Sequence, residues 1–243
     1  MTRAEKLTTI AESEKQVYFS GRQDASEEFW DSITNYGKRT NYQSAFTDWG
    51  GEHFHPTRKI VPISQYSSNQ FMGWCTRLKR VERAYLDFSQ KTRGTSNTGG
   101  YYYTFYQCPE LEVVEDIGMQ ADYCYNVTFG SCPKLRKVSK IRCDEDTKFS
   151  QVFDYCYALE NVYFEGIIGQ NGLNFRWSTK LSKGSIESII NALSGDTSGL
   201  TLTFSEAAVN KAFETAVGEN NGSTSLDWEY LIGSHGNWNI VLA

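Results

Sequence analysis

The chain has 243 residues, of which 40% are apolar, with a formal net charge of −5 and a pI of about 5.3. This length suffices for one large domain or two small ones around a hydrophobic core, and the acidic balance excludes an overall basic field for nucleic acid. The first residues are charged and no run of about 18 apolar residues occurs, so we expect a chain made in the cytoplasm without a signal peptide and without membrane insertion.

Two helices are predicted near the N-terminus. Residues 3–20 carry apolar side chains roughly on one stripe. A second helix is predicted at 24–36, with Asp24 as its N-cap and Gly37 as its C-terminal stop. Residues 1–63 are therefore expected to form a helical N-terminal cap and an entry segment.

The histidines and cysteines indicate neither a metal nor a cofactor. His53 and His55 could ligate a metal, but no Cys or Asp cluster completes a site, which favours two loop histidines beside Pro56. The six cysteines form no CxxC pair. Since no export signal is visible, reduced thiols are favoured over disulfides.

One pattern recurs along residues 64–183. Alignment on cysteine places Phe or Met three residues before it, Leu three residues after it and Val six after it. The aligned residues Cys75, Cys108, Cys132 and Cys156 are 33, 24 and 24 residues apart, and a polar insertion at 91–100 accounts for the longer first step. A decayed fifth copy begins at Phe175.

A period of 24 residues is typical of leucine-rich repeats, in which stacked copies turn each apolar position into a row through the core. Cysteine suits such a row because it is small and often fully buried. The repeat core predicted from the three regular copies consists of Phe105, Cys108, Leu111, Val114, Phe129, Cys132, Leu135, Val138, Phe153, Cys156, Leu159 and Val162.

Each copy is expected to carry one short strand of a parallel sheet. Outward residues are acidic in one copy, as at Glu115 and Asp116, and basic in the next, as at Lys140 and Arg142. These rows could pair across strands or form a patterned recognition face, and an ordinary solvated surface is an equally open interpretation. The predicted strands lie near 79–86, 111–117, 135–142 and 159–165.

Catalytic residues are not predicted. Cys124 and Cys143 fall outside the repeat positions and have no His nearby in sequence, which disfavours a nucleophile. The acidic run 144–146 could serve a cation or acid–base chemistry, but a charged loop is favoured. Since GxSxG, HExxH and phosphate-loop motifs are also absent, we do not expect an enzyme.

The chain changes character after the repeats. Helices are predicted at 185–193, from Ser205 through Phe213 and at 226–232, and strands at 200–204 and 238–242. Residues 184–243 should therefore form an α+β C-terminal cap. The predicted fold class is an α/β repeat, a short leucine-rich-repeat solenoid with parallel strands, a helical N-terminal cap and this C-terminal cap.

The pattern Phe-x2-Cys-x2-Leu-x2-Val resembles the BspA-like class of leucine-rich repeats. The tail at 181–243 and the entry segment at 28–50 are similar to regions of leucine-rich-repeat proteins from gut bacteria and their tailed phages. The resemblance implies a binding role at the surface of a cell or virion, and it supplies no catalytic residue.

Exposed aromatic side chains are the candidate binding residues: Trp74, Tyr102, Tyr106, Tyr155 and Tyr157. Ordinary packing is the alternative for each of them. The leading hypothesis is a non-enzymatic macromolecule-binding or structural module, phage-encoded and virion- or surface-associated, whose partner is a protein or a surface glycan. Assembly into a homo-oligomer or a virion is also open. The alternative is an intracellular interaction protein that binds a host or defence factor.

Overall fold

The computed structural model describes residues 46, 50–52, 54, 59–63, 69–92, 100–121, 124–195, 198–213, 224–235 and 237–243. The predicted helices at 3–20 and 24–36 lie outside these residues, as do His53 and His55.

Parallel strands in three sheets, with few helices, make this an α/β fold. Within the described residues the elements follow one another in this order: β1 (Arg80–Val81), β2 (Val113–Val114), β3 (Cys124–Asn126), β4 (Lys137–Cys143), β5 (Lys148–Ser150), β6 (Asn161–Gly166), β7 (Asn174–Phe175), α1 (Lys183–Asn191), β8 (Leu200–Phe204), α2 (Glu206–Phe213), α3 (Thr224–Gly233) and β9 (Trp238–Leu242).

The largest sheet is parallel and has the order β1-β2-β4-β6. Arg80 is the register partner of Val113, Val113 of Lys137, and Lys137 of Asn161. These partners are separated by the same 33, 24 and 24 residues as the aligned cysteines. Consecutive strands of this sheet therefore come from consecutive copies of the sequence pattern.

The first two strands are shorter than the sequence predicts. β1 and β2 have two residues each, where 79–86 and 111–117 are predicted. Beyond β2 the N–H of Ile117 donates to the Glu115 carbonyl at 2.7 Å, and the Asp116 carboxylate accepts from the backbone N–H of Gly118. Such local bonds turn the backbone out of the sheet. The predictions for β4 and β6 differ from the structure by only one or two residues.

The repeat positions predicted from sequence lie in the core. Each of the twelve is at most 1% exposed, and the corresponding side chains of the copy around Cys75 are fully buried. Phe105, Phe129, Phe153, Phe175 and Phe204 form a continuous stack with centroid separations of 5.6, 5.5, 5.2 and 5.7 Å. The stack continues through Phe204 of β8, so the C-terminal segment extends the same core.

A second aromatic row runs beside the first. Tyr101, Tyr125 and Phe149 are buried and stack at 4.8 and 5.6 Å. The alternation of Tyr101, Tyr102 and Tyr103 predicts one or two exposed rings, and the structure buries Tyr101 completely while half-burying the other two. Tyr101 is buried because it occupies the same position in its copy as Tyr125 occupies in the next copy.

The packing also extends N-terminal to the predicted boundary at residue 63. The Phe46 carbonyl accepts a hydrogen bond from the Cys75 thiol at 3.1 Å, and Ile60 forms a parallel bridge with Leu86. Residues on the N-terminal side of that boundary therefore join the same core.

The C-terminal elements agree closely with their predictions. β8 and β9 have the predicted bounds, and α1 begins two residues before the predicted Ser185. Ser182 caps α1, and the hydroxyls of Ser185 and Ser188 accept hydrogen bonds from N–H groups of β6. This helix thus closes the edge of the main sheet by satisfying its free donors. Among the described residues, the helices are all too short or too polar to cross a membrane.

Candidate ligand-binding groove

The residues on either side of each buried cysteine lie at the surface. The residue before the cysteine has a left-handed backbone in four copies, with φ of 60° at Trp74, 53° at Gln107, 60° at Ser131 and 60° at Tyr155. That conformation is uncommon for residues other than glycine and is strained for a bulky side chain. The recurring turn places these four side chains along one edge of the molecule.

A groove of about 480 Å³ runs along this edge, and we call it the aromatic groove. Backbone hydrogen bonds join its floor from one copy to the next: Trp74 N–H to the Tyr106 carbonyl, and Gln107 N–H to the Gly130 carbonyl. The residues before and after the four cysteines line it: Trp74, Thr76, Gln107, Pro109, Ser131, Pro133, Tyr155 and Tyr157.

One end of the aromatic groove is formed by Trp74. Its indole stacks on Tyr103 at 6.1 Å with an interplanar angle of 13°, and Tyr106 packs edge-on against it at 5.5 Å. Tyr103 and Tyr106 also contact each other at 4.7 Å. The contacts with Tyr103 and Tyr106 therefore fix the position of the Trp74 indole.

The opposite end is formed by Tyr155 and Tyr157, whose side chains are 45% and 46% exposed. Tyr155 stacks on Trp177 at 5.1 Å, and Tyr157 lies edge-on to Trp177 at 5.9 Å. The buried indole Nε1 of Trp177 has no hydrogen-bond partner among the described residues. An unsatisfied buried donor is uncommon in a native structure.

Three of the five predicted binding residues meet in this groove: Trp74, Tyr155 and Tyr157. Tyr106 supports Trp74 from behind, whereas Tyr102 packs on Tyr103 at 4.2 Å and does not line the groove.

Sequence reasoning missed several lining residues. Pro109, Ser131 and Pro133, which lie with Gln107 in the middle of the groove, were not predicted. Their positions beside the aligned cysteines were a usable signal, but aromatic character alone does not select them. Trp177 likewise immediately precedes Ser178, which takes the place of cysteine in the fifth copy.

The outward face of the main sheet is different in character, because its charges pair across strands. One such ion pair joins Arg80 to Glu115. A continuous chain of ion pairs with separations of 2.9, 3.5, 3.5, 3.0 and 3.1 Å runs through Lys59, Asp87, Arg83, Asp116, Arg142 and Glu165. Cross-strand pairing, which the alternation of acidic and basic rows allows, is therefore present.

These ion pairs alter the titration of their members. Burial opposes ionisation of Asp116, but hydrogen bonds from Arg142 and from the Gly118 N–H outweigh it, and the pKa of the carboxyl is lowered. Glu52 belongs to a separate group of ion pairs with Arg77 and Lys79. Hydrogen bonds from these two side chains lower the pKa of Glu52 to about 2. These carboxylates are stabilised as anions and are already occupied by cations of the same chain.

The cysteines are all free and buried. Burial raises the pKa of the Cys143 thiol to about 12, and Cys124 is only 6% exposed. Raised pKa and burial both disfavour the thiolate that a nucleophile requires.

In the acidic run at 144–146, the Asp144 carboxylate accepts hydrogen bonds from the Thr147 hydroxyl and from the Asp146 N–H, which closes a turn. In the described part of the chain, no three His, Cys, Asp or Glu side chains are grouped to hold a metal ion.

Comparisons with protein-family models, with curated proteins and with solved structures find no match to this chain.

Proposed function

We propose that this chain is a non-enzymatic macromolecule-binding module, built as a short leucine-rich-repeat solenoid of the BspA-like class, and that the aromatic groove is its binding surface. The observation that carries the proposal is the exposure of Tyr155 and Tyr157, across the groove from Trp74. Exposed aromatic rings suit recognition because each can bury a large area while few rotatable bonds become ordered.

The solenoid form is supported by the agreement between sequence period and sheet register. Strand partners 24 residues apart, such as Val113 and Lys137, follow the spacing of the aligned cysteines. The stack of phenylalanines passes through each copy in turn. Such one-dimensional stacking is the arrangement by which leucine-rich repeats bury a common core.

The titratable groups favour binding over catalysis. A general acid or base for neutral pH needs a pKa moved toward 7. The shifts found here move away from it: the pKa of Glu52 is lowered by its ion pairs, and the pKa values of the Cys108 and Cys132 thiols are raised by burial. The Glu52 shift comes from ion pairs and the two cysteine shifts come from burial, so each has its cause in the folded structure.

The setting of the proposed function is the surface of a virion, on the strength of the resemblance of residues 28–50 and 181–243 to regions of phage leucine-rich-repeat proteins. Mass spectrometry of purified, intact particles should then detect the chain at a fixed copy number. Its absence from the particles would favour the intracellular interaction protein instead.

The groove itself is tested by selecting ligands for the full chain from a random peptide library and from a glycan array. Tyr155→Ala should reduce the binding of selected ligands by at least about tenfold. Tyr163→Ala is the matched control, because Tyr163 is 39% exposed but lies on β6 outside the groove. Ligands that bind both variants as well as the parent chain would show that binding occurs elsewhere.

A further inference from the structure

We infer that the aromatic groove takes a proline-rich segment of another protein in the polyproline II conformation. This inference rests on the proposed function of the groove as a binding surface. It is carried by the chemistry of the lining, by the absence of charge on the lining side chains and by the dimensions of the groove.

The lining is aromatic and prolyl at most positions. Trp74, Tyr155 and Tyr157 supply ring faces at the two ends, and Pro109 and Pro133 supply apolar rings between them. Grooves of exposed aromatic rings dock polyproline II segments because pyrrolidine rings pack flat against them, and because the segment loses little entropy on binding.

The polar groups of the groove are few. Thr76, Gln107 and Ser131 are the polar residues among the eight that line it besides the tyrosines. The Gln107 amide already donates to the Tyr106 hydroxyl at 3.1 Å. A hydroxyl-rich glycan would leave many of its groups unpaired here, and unpaired buried polar groups oppose binding. The lining therefore favours a peptide rich in apolar rings.

The charge of the occupant follows from that of the lining. None of the eight lining side chains is an acid or a base at neutral pH. At the nearby surface, Lys134 is paired with Glu110 at 2.7 Å. At the tyrosine end, the Arg176 guanidinium lies over the Trp177 ring at 4.9 Å. The lining side chains themselves offer a strongly acidic or basic peptide no complementary charge, so a neutral segment is the matching ligand.

The length of the groove sets the length of the segment. From Trp74 to Tyr155 the floor crosses three hydrogen-bonded steps between adjacent copies. At about 4.8 Å per step this is about 14 Å. A polyproline II helix rises about 3.1 Å per residue, so about five residues span the groove and connect its two aromatic ends.

Trp177 provides a donor for such a ligand. Its indole Nε1 is unpaired among the described residues and lies under the tyrosine pair Tyr155 and Tyr157. A polyproline II segment has no internal hydrogen bonds, so its carbonyls are free to accept. A ligand carbonyl at this end of the groove is therefore the kind of acceptor that the indole N–H lacks.

The prolines of the 243 residues do not supply such a segment. This chain contains four prolines, Pro56, Pro62, Pro109 and Pro133, and no two of them are close enough to form a PxxP segment. A second copy of these 243 residues therefore provides no proline-rich segment, and a different partner protein is the proposed source.

The test uses the ¹⁵N-labelled full chain, with the Trp177 indole signal assigned by Trp177→Phe. A capped octaproline, a matched alanine–glycine peptide and a neutral glucose hexasaccharide are each titrated to about 1 mM. Octaproline should shift the Trp177 signal, and Trp74→Gly and Tyr155→Gly should each weaken its binding by at least about tenfold. Glycine accepts the left-handed backbone at both positions. Gln151→Gly is the control, because Gln151 has φ of 49° and lies outside the groove.

The outcomes separate the inference from the proposed function. Binding of octaproline that is lost in both groove variants and kept in Gln151→Gly supports the inference. No binding of octaproline, or equal binding by all variants, overturns it. If the hexasaccharide binds instead, in a manner sensitive to Trp74→Gly, the groove remains the binding surface and the ligand is a glycan. If library-selected ligands also ignore Tyr155→Ala, the proposed function fails as well.

Discussion

The Cys132 thiol donates a hydrogen bond to the backbone carbonyl of Phe105 at 3.0 Å, across a sequence separation of 27 residues. The same contact joins Cys108 to Met72 and Cys156 to Phe129, each at 3.1 Å. The thiol therefore satisfies a buried carbonyl of the preceding copy in addition to filling space. This explains why a residue that is both small and a weak donor recurs at this position.

Replacement of Cys132 tests this role. Cys132→Ala removes the donor and leaves the buried Phe105 carbonyl unpaired, which should lower the free energy of unfolding by about 2 kcal/mol. Cys132→Ser retains a donor and should cost less, because the Ser178 hydroxyl at the equivalent position also donates to a carbonyl of the preceding copy, although to that of Cys156, at 3.3 Å, and not to that of Phe153. Urea denaturation measures both. Equal or greater loss in the serine variant would assign the cysteine to packing alone.

Gly172 should not tolerate a side chain. Its φ is +112°, and a Cβ there would lie 1.8 Å from the Phe149 carbonyl oxygen. Gly172→Ala is expected to lower the free energy of unfolding by about 3 kcal/mol, because the backbone must move. Gly184→Ala is the matched control in α1, where no atom lies within 4 Å, and it should raise stability by about 0.5 kcal/mol. Thermal unfolding of both variants checks the contrast, and similar melting temperatures would contradict it.

Adjacent tyrosines should respond differently to truncation. Tyr101 is fully buried, stacks on Tyr125 at 4.8 Å and accepts a hydrogen bond from the Gln120 N–H, so Tyr101→Ala should cost about 4 kcal/mol. Tyr102 is only half-buried against Tyr103, and Tyr102→Ala should cost less than about 1 kcal/mol. Calorimetry on the two variants measures the difference. A large loss of stability in Tyr102→Ala would show instead that this side chain is part of the core.

Stability should fall in acid because of the paired carboxylates. In the folded chain, hydrogen bonds from Arg77 and Lys79 hold the pKa of Glu52 at about 2, below the ordinary value of 4.5. The contribution of this lowered pKa is present above pH 4.5 and is lost as the pH falls toward about 2. Asp87 and Asp116, whose pKa values are also lowered, act in the same direction.

The measurement is the urea midpoint at pH 6, 4 and 3 for the parent chain and for Glu52→Gln. The variant should lose stability at pH 6 and show a shallower fall between pH 6 and pH 3. Glu229→Gln, at an exposed position of α3, is the control and should leave the pH profile unchanged. A parent chain equally stable at pH 6 and pH 3 would contradict the role assigned to these ion pairs.

Much of the core was predictable because stacking imposes the same requirement at each step. Phe105, Phe129 and Phe153 occupy equivalent places in copies 24 residues apart, so the same side chain fits each time. The row of Tyr101 and Tyr125 has the same spacing and could have been found by the same comparison. The interpretation of the Tyr101 segment as partly exposed gave more weight to local alternation than to the period.

The strand lengths and the ion pairs were harder to predict from the sequence. The sequence predicts that β2 continues to residue 117, but the Asp116 carboxylate and the Glu115 carbonyl accept local hydrogen bonds that end it early. Which charges pair depends on strand register, so the 3.0 Å contact between Asp116 and Arg142 could not be derived from the sequence.

By itself the sequence determined the spacing of the strands, the residues of the repeat positions and the elements of the C-terminal segment, since these depend on periodic side-chain chemistry. Only the tertiary structure decided which surface residues line a common groove. Trp74, Gln107, Ser131 and Tyr155 each precede an aligned cysteine, but their side chains differ in chemistry, so residue type alone does not group them. They line one groove because parallel register aligns the four copies and because a left-handed turn before each cysteine points their side chains to the same edge.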